Sequence, residues 1–176
     1  MTTPDRVLPL GDPRLRRVAA PVVPGDPQFA DERRRLHAAL AAFRAEHGFG
    51  RAIAAPQIAI PRRFIALDLG DGPRTLINPV IVWRSDATFK LWDDCMCFPD
   101  LLVRVERAAA ITVAYTDDDG AARSMGPLDR ALSELLQHEI DHLDGVLALD
   151  RADGPGAIIS REAHAADPGY FAAQLA

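Results

Sequence analysis

Gln137-His138-Glu139-Ile140-Asp141-His142 holds a His-Glu-x-x-His pattern within a run of helical apolar spacing. Leu128, Leu132, Leu135, Leu136, Ile140 and Leu143 mark a broad apolar face around it, Pro127 opens the segment and Gly145 ends it. Residues four apart lie one turn above each other on one helical face. His138 and His142 can therefore offer two imidazoles to one metal ion. Glu139 sits beside them, placed to handle a proton from water at that ion. Two histidines and a glutamate can also simply decorate a helix. The apolar residues on most sides argue for burial, however, and buried polar groups without partners are costly. A buried pair is expected to coordinate something.

Working outward, the 176 residues read as one domain, 1–176, with residues 1–25 as a packed N-terminal arm and residues 151–176 as a variable C-terminal segment. Hydrophobic residues at 48% suffice for a core, and charged residues stand at an ordinary 26%. The formal net charge is −5 and no long basic run occurs, which argues against direct nucleic-acid binding. Arg33-Arg34-Arg35 reads as the solvated face of a helix. No apolar run approaches a membrane span, and Met1 to Pro9 lacks the apolar core of a signal peptide. No membrane partner and a cytoplasmic location are expected. Cys95 and Cys97 stand too close in sequence for ordinary disulfide geometry; in a cytosolic chain they read as a metal ligand and a bystander.

The arm has Leu8, Leu10, Leu15, Val18, Val22 and Val23 as apolar anchors; a free tail is the competing reading. A first helix is predicted from about Pro27 to His47, with Asp26 as N-cap and Gly48 or Gly50 as stop. His37 and His47 on it read as surface histidines. Small residues dominate Gly48 to Gln57, letting backbone pass close to a ligand or to packed structure. The alternative is a tight turn with Gln57 exposed. Residues 63–68 and 75–83 read as strands across Gly70-Asp71-Gly72-Pro73, followed by strands at 102–106 and 110–115 and a return at 121–125. After Asp150 the chain either docks through Ile158, Ile159, Tyr170 and Phe171 or frays.

Two histidines leave a catalytic site one protein ligand short of the usual three plus an open position for water. Cys95 is a natural third ligand and Cys97 an alternative, which the residues alone do not separate. A buried free cysteine acting as a small hydrophobe is the remaining reading.

Taken together and in order, these stretches resemble the peptide deformylase family. That family carries a Gly-rich segment ending in Ala-Ala-x-Gln, a central Glu-Gly-Cys-Leu-Ser, and Gln-His-Glu-x-x-Asp-His-Leu on its core helix. Leu10 to Arg16 and Ala20-Pro21-Val22 are similar to its opening, and Gln137 to Leu143 matches in full. The likeness spans residues 8 to about 150. It implies an α+β fold, with antiparallel β-sheets wrapped around the central helix. It implies that Cys95, His138 and His142 hold a metal, with Cys97 falling where the family has serine. Glu139 would take a proton from water and pass it to the leaving amine. The Gln57 amide and the backbone N–H of Met96 would donate to the oxyanion. Gly50 would let a peptide lie along the backbone as an added strand. The implied cofactor is one divalent ion, ferrous iron physiologically, with zinc, nickel or cobalt as substitutes. The implied reaction removes the N-formyl group from the N-terminal residue, typically methionine, of newly made peptides, with possible proximity to the ribosome.

The departures lie around the substrate. Gly50-Arg51-Ala52 stands where the family has Gly-x-Gly, and Asp93, Asp94, Met96 and Cys97 replace all of the central segment but its cysteine. Arg51 falls where the family has an aliphatic pocket residue, and Glu134, four before His138, falls near another. Arg51 and Glu134 are expected to pair across that pocket and to disfavour an apolar side chain. The alternative is that Arg51 snorkels to solvent. Two rival functions follow. One is a deformylase-like amidohydrolase acting on a non-methionyl or other N-acyl amine. The other is a non-catalytic peptide-binding homologue, against which stands the joint presence of Cys95, His138, Glu139, His142 and Gln57.

Overall fold

A computed structural model describes residues 4–176, so the first three residues of the expected arm lie outside the described residues. In chain order the elements are α1 (Phe29–His47), β1 (Ala52–Ala54), β2 (Phe64–Asp68), β3 (Pro73–Arg84), β4 (Thr88–Asp94), β5 (Leu101–Ala108), β6 (Ile111–Thr116), β7 (Ala122–Met125), α2 (Arg130–Leu143), β8 (Ile158–Ser160), α3 (Arg161–Ala166) and α4 (Pro168–Ala173). One antiparallel sheet has five strands in the order β1-β2-β3-β6-β7, and a second has three in the order β4-β5-β8. The fold is α+β. Among the described residues, no helix is long and apolar enough to cross a membrane.

Around β1 and β2 the five-stranded sheet is covered on both faces. Along β2, Phe64 and Ala66 pack with Leu36, Leu40 and Phe43 of α1, while Ile65 and Leu67 pack with Leu136, Ile140 and Leu143 of α2. Successive side chains of a strand point to opposite faces, so a strand buried on both sides reads as an unbroken apolar run. Each fully buried aliphatic or aromatic side chain stabilises the fold by about 1.5–3 kcal/mol. Helix α2 is buried from Leu135 through Leu143. Its start is corrected from Pro127 to Arg130, because Asp129 is the cap and accepts a hydrogen bond from the Leu132 N–H at 3.0 Å. Helix α1 likewise starts at Phe29 rather than Pro27, since Asp26 is used in the preceding turn, accepting from the Gln28 N–H at 2.9 Å.

The two strands expected across Gly70 to Pro73 form the hairpin of β2 and β3, paired from Phe64 opposite Ile77 to Asp68 opposite Pro73. Strands β5 and β6, adjacent in sequence, belong to different sheets. Strand β4 was not expected as an element; it pairs with β5 over its whole length, and its charged Lys90, Asp93 and Asp94 hide its alternation. The arm is docked: Leu8, Leu15, Ala19 and Val22 are buried, while Leu10, Val18 and Val23, expected as anchors, are exposed. Its backbone N–H groups bond the carbonyls of Gln57 (from Leu8, 2.8 Å), Cys97 (from Leu10, 2.9 Å) and Leu143 (from Ala19, 2.8 Å).

Just past α2, Gly145 has φ +72°, and a Cβ there would lie 2.6 Å from the Arg16 carbonyl oxygen. Gly145→Ala is expected to cost about 1–3 kcal/mol, the scale of a strained left-handed residue. Urea denaturation would show it as a lower midpoint; an unmoved midpoint would mean the arm is not held against this turn.

The C-terminal segment is ordered structure. Strand β8 adds to β5 from Leu101 opposite Ser160 to Val103 opposite Ile158, and Trp92 Nε1 donates to the Phe171 carbonyl at 3.0 Å. Its half-buried anchors are Ile159 and Phe171; Ile158 and Tyr170 are exposed.

Candidate metal centre

Helix α2 presents His138 and His142 on one face, and the turn after β4 brings Cys95 up to them. His142 Nε2 lies 3.2 Å from His138 Nε2 and 3.3 Å from Cys95 Sγ. A tetrahedral ion bound at about 2.0–2.1 Å to nitrogen and about 2.3 Å to sulfur sets neighbouring donors roughly 3.3–3.6 Å apart. The two spacings that His142 makes, to His138 and to Cys95, fit such an ion. Cys97 is also close: one donor atom each from Cys95, Cys97 and His142 lie within 4.8 Å of one another, all buried. Burial, and then the His138 charge, push the His142 imidazole well below its usual pKa, which leaves it neutral and able to act as a ligand.

His138 is oriented from behind. Its Nδ1 lies 3.0 Å from Asp93, which turns Nε2 toward His142. Asp93 in turn accepts from Arg107 Nη2 at 2.8 Å, and Arg107 Nη1 donates to Asp141 at 2.6 Å. Arg151 caps the chain of charges, donating twice to Asp141 at 2.6 and 2.5 Å. Burial raises the Asp93 carboxyl, but His138 and Arg107 outweigh it and hold the pKa at about 2. None of these supporting roles was read from sequence. The signal was present in β5, where Val103, Val105 and Arg107 share the inward face. An arginine there requires carboxylate partners.

Glu139 and Gln57 flank the donors. Glu139 is 3% exposed, and its Oε2 has no hydrogen-bond partner among the described residues. Burial pushes its carboxyl up to about 7 against the pull of His138. Gln57 is 1% exposed, which overturns its reading as a solvent-facing turn residue. Its Oε1 accepts from the Ala54 N–H at 2.8 Å, and Nε2 therefore faces the thiols, 3.6 Å from Cys97 Sγ and 3.9 Å from Cys95 Sγ. A cavity of about 360 Å³ opens here, lined by Gly50, Gln57, Cys95, Met96, His138 and Glu139 among others. Gly50 has φ +119°, a backbone conformation that favours glycine, and Met96 Cε, 2.6 Å from where a Cβ would be, would have to move aside for any other residue. Strand β1, which follows Gly50 and Arg51, is an edge of the five-stranded sheet.

The family model for polypeptide deformylase matches residues 4–157. The chain belongs to the polypeptide deformylase family. The peptide deformylase of Thermotoga maritima is 33% identical over 157 residues, 89% of this chain and 92% of that protein. That of Rhizobium meliloti is 40% identical over 146 residues, 80% of each chain. The crystal structure of the Thermotoga maritima peptide deformylase superposes with a TM-score of 0.77 over 87% of this chain and all of that one, at 33% identity. The chain is thus a metal-dependent hydrolase.

In this deformylase, charge gathers around the cavity. Arg51 Nη2 is paired with Glu134 Oε1, and Arg51 Nη1 donates to the Ala131 carbonyl at 3.1 Å. The Arg51 side chain stays 46% exposed while its partner is 14% exposed. Asp94 does not point at the donors. It accepts from Arg161 Nη2 at 2.9 Å, and the Arg161 guanidinium lies 4.8 Å from the Phe49 ring centroid. The C-terminal segment thereby ties both rims of the cavity together, a role that was not foreseen for it. Ala52 takes an ordinary strand position opposite Leu67. His37, read as a surface residue, is half-buried with Nε2 3.0 Å from Thr75 Oγ1.

Proposed function

We propose that this deformylase hydrolyses the formyl amide at the N-terminus of a peptide, through Cys95, His138 and His142 as metal ligands and Glu139 as proton carrier. The observation that carries the reading is the meeting of His142 Nε2 with His138 Nε2 at 3.2 Å and Cys95 Sγ at 3.3 Å, beside the unpartnered Oε2 of Glu139. One thiolate and two imidazoles suit ferrous iron, and also zinc, nickel or cobalt; ferrous iron is our assignment. When bound, the ion supplies Lewis acidity and lowers the pKa of water.

The protein's own groups do the rest. Glu139, its carboxyl raised by burial to about 7, takes a proton from the attacking water and returns it to the amine as the C–N bond breaks, releasing formate. Gln57 Nε2 and the Met96 N–H donate to the developing oxyanion. The fixing of Gln57 Oε1 on Ala54 at 2.8 Å supports that role by pre-setting the amide. The peptide backbone adds beyond β1, where Gly50 leaves room. We assign the work to newly made chains in the cytoplasm, near the ribosome but without RNA contact, consistent with the formal net charge of −5.

Formate release from a formylated tripeptide by the metal-loaded protein is the direct test, and no release above the metal-free protein would overturn the reading. Gln57→Leu is expected to lower kcat by about 10²–10³, the usual effect of losing one oxyanion donor. Metal content should be unchanged; an unaltered kcat would remove Gln57 from the chemistry.

A further inference from the structure

The two groups assigned to the oxyanion reach the cavity from different sheets. Gln57 follows β1 directly and is fixed to that strand, its Oε1 accepting from the Ala54 N–H at 2.8 Å. Met96 lies in the loop of residues 95–100, which leaves β4 at Asp94 and enters β5 at Leu101. Strand β1 belongs to the five-stranded sheet and β4 and β5 to the three-stranded one, so no strand ladder joins the two donors.

A single side chain spans the gap. Strand β8 pairs with β5 up to Ser160 opposite Leu101, which brings the next residue, Arg161, against the end of the loop. The Arg161 N–H donates to the Asp100 carbonyl at 2.8 Å. Its guanidinium donates from Nε to the Pro99 carbonyl at 2.8 Å and from Nη2 to Asp94 Oδ2 at 2.9 Å. One residue thus grips the loop at both ends. The same guanidinium lies 4.8 Å from the Phe49 ring centroid, on the rim that carries Gly50 and β1. Arginine suits this position, because a planar fork serves two acceptors and stacks on a ring, which a lysine ammonium does not. Arg161 lies beyond residues 4–157, the stretch that the family model matches.

This clasp is not what keeps the protein folded. The Arg161 and Asp94 side chains are 41% and 42% exposed, and ion pairs so solvated contribute little to stability. The loop around Cys95 has other supports: the Leu10 N–H donates to the Cys97 carbonyl at 2.9 Å, and the Phe98 N–H to that of Cys95 at 3.1 Å. What the clasp controls is the spacing of the rims. A donor must sit about 2.7–3.1 Å from the oxyanion to stabilise it, and two donors must meet that condition together.

We propose that Arg161 is a positioning residue for the hydrolysis, setting the separation of Gln57 Nε2 and the Met96 N–H across the cavity. The proposal rests on the oxyanion roles assigned above and adds the residue that aligns them.

The test uses the metal-loaded protein. Arg161→Ala is expected to lower kcat for a formylated tripeptide by about 10–100-fold, the scale of an ångström-sized misplacement. KM, metal content and the urea midpoint should stay close to those of the parent. In a Gln57→Leu background the same substitution is expected to cost at least about threefold less, a coupling that independent sites do not show. Amide hydrogen exchange over residues 95–100 is expected to speed up in Arg161→Ala while that of α2 does not. Asp94→Ala removes one contact and leaves the C-terminal segment untouched, and is expected to move kcat and exchange in the same direction by less. An unchanged kcat, an equal loss with and without Gln57, or unchanged exchange over the loop overturns the proposal. So does a loss of kcat matched by lost metal or a lowered urea midpoint. No formate release by the unmodified protein overturns the hydrolase reading instead, and the exchange measurement then decides by itself whether Arg161 holds the loop.

Discussion

Replacing Glu139 with alanine is expected to lower kcat/KM for formyl-peptide hydrolysis by about 10²–10⁴, the range that a positioned acid–base group supplies. Glu139 sits next to a metal ligand on α2, is 3% exposed, and has an oxygen with no partner among the described residues. A carboxylate so placed costs stability unless water or substrate uses it, because burial penalises its charged form. The variant should therefore fold at least as well as the parent and bind the same amount of metal. Since burial pushes the carboxyl up to about 7, the base is lost as pH falls through its pKa. A bound cation favours the charged form, so the acid limb of kcat/KM should lie at or below about pH 7. That limb should vanish in Glu139→Gln. A full rate in either variant, with metal content verified, would mean the proton is carried elsewhere.

The largest stability effect is expected at Arg107. Its side chain is 2% exposed and bridges Asp93 at 2.8 Å and Asp141 at 2.6 Å. Arg107→Ala leaves both carboxylates buried, with Asp141 still held by Arg151 and Asp93 by His138 alone. Removing one partner of a buried pair costs about 3–5 kcal/mol, because the remaining charge is uncompensated. The same change frees Asp93, which orients His138, and loss of such an outer partner lowers metal affinity by about 10–100-fold. Urea unfolding of the metal-free protein reads the first effect and competition with a chelator reads the second. A stability loss under about 1 kcal/mol would mean that Asp93 and Asp141 become neutral or hydrated once Arg107 is gone.

The legible parts of the chain are those whose spacing matches one element. Helix α2 was readable because an apolar face and a metal pair coincide over Leu128 to Leu143. The Arg51–Glu134 contact was one of two expectations for Arg51, drawn from where the family resemblance places both residues, with Glu134 one turn before His138. Strand β4 was not, because Lys90, Asp93 and Asp94 break its apolar alternation, each held by a partner distant in sequence: Asp153, Arg107 and Arg161. The orientation of Asp94 was not legible for the same reason. A sequence shows a charge but not the cation 67 residues away that turns it aside. Cys95 and Cys97 could not be ranked by spacing, and the structure keeps both thiols near His142.

The family match ends at Ala157, and β8 begins at the next residue. Arg161 lies beyond that match, while the Phe49 ring and the Asp94 carboxylate it holds lie within it. The rim of the cavity is therefore fastened by a side chain that arrives last in the sequence, whereas Cys95, His138 and His142 are held by the turn after β4 and by α2. Cutting the chain before Arg161 would unfasten the rim and leave those three donors their own supports.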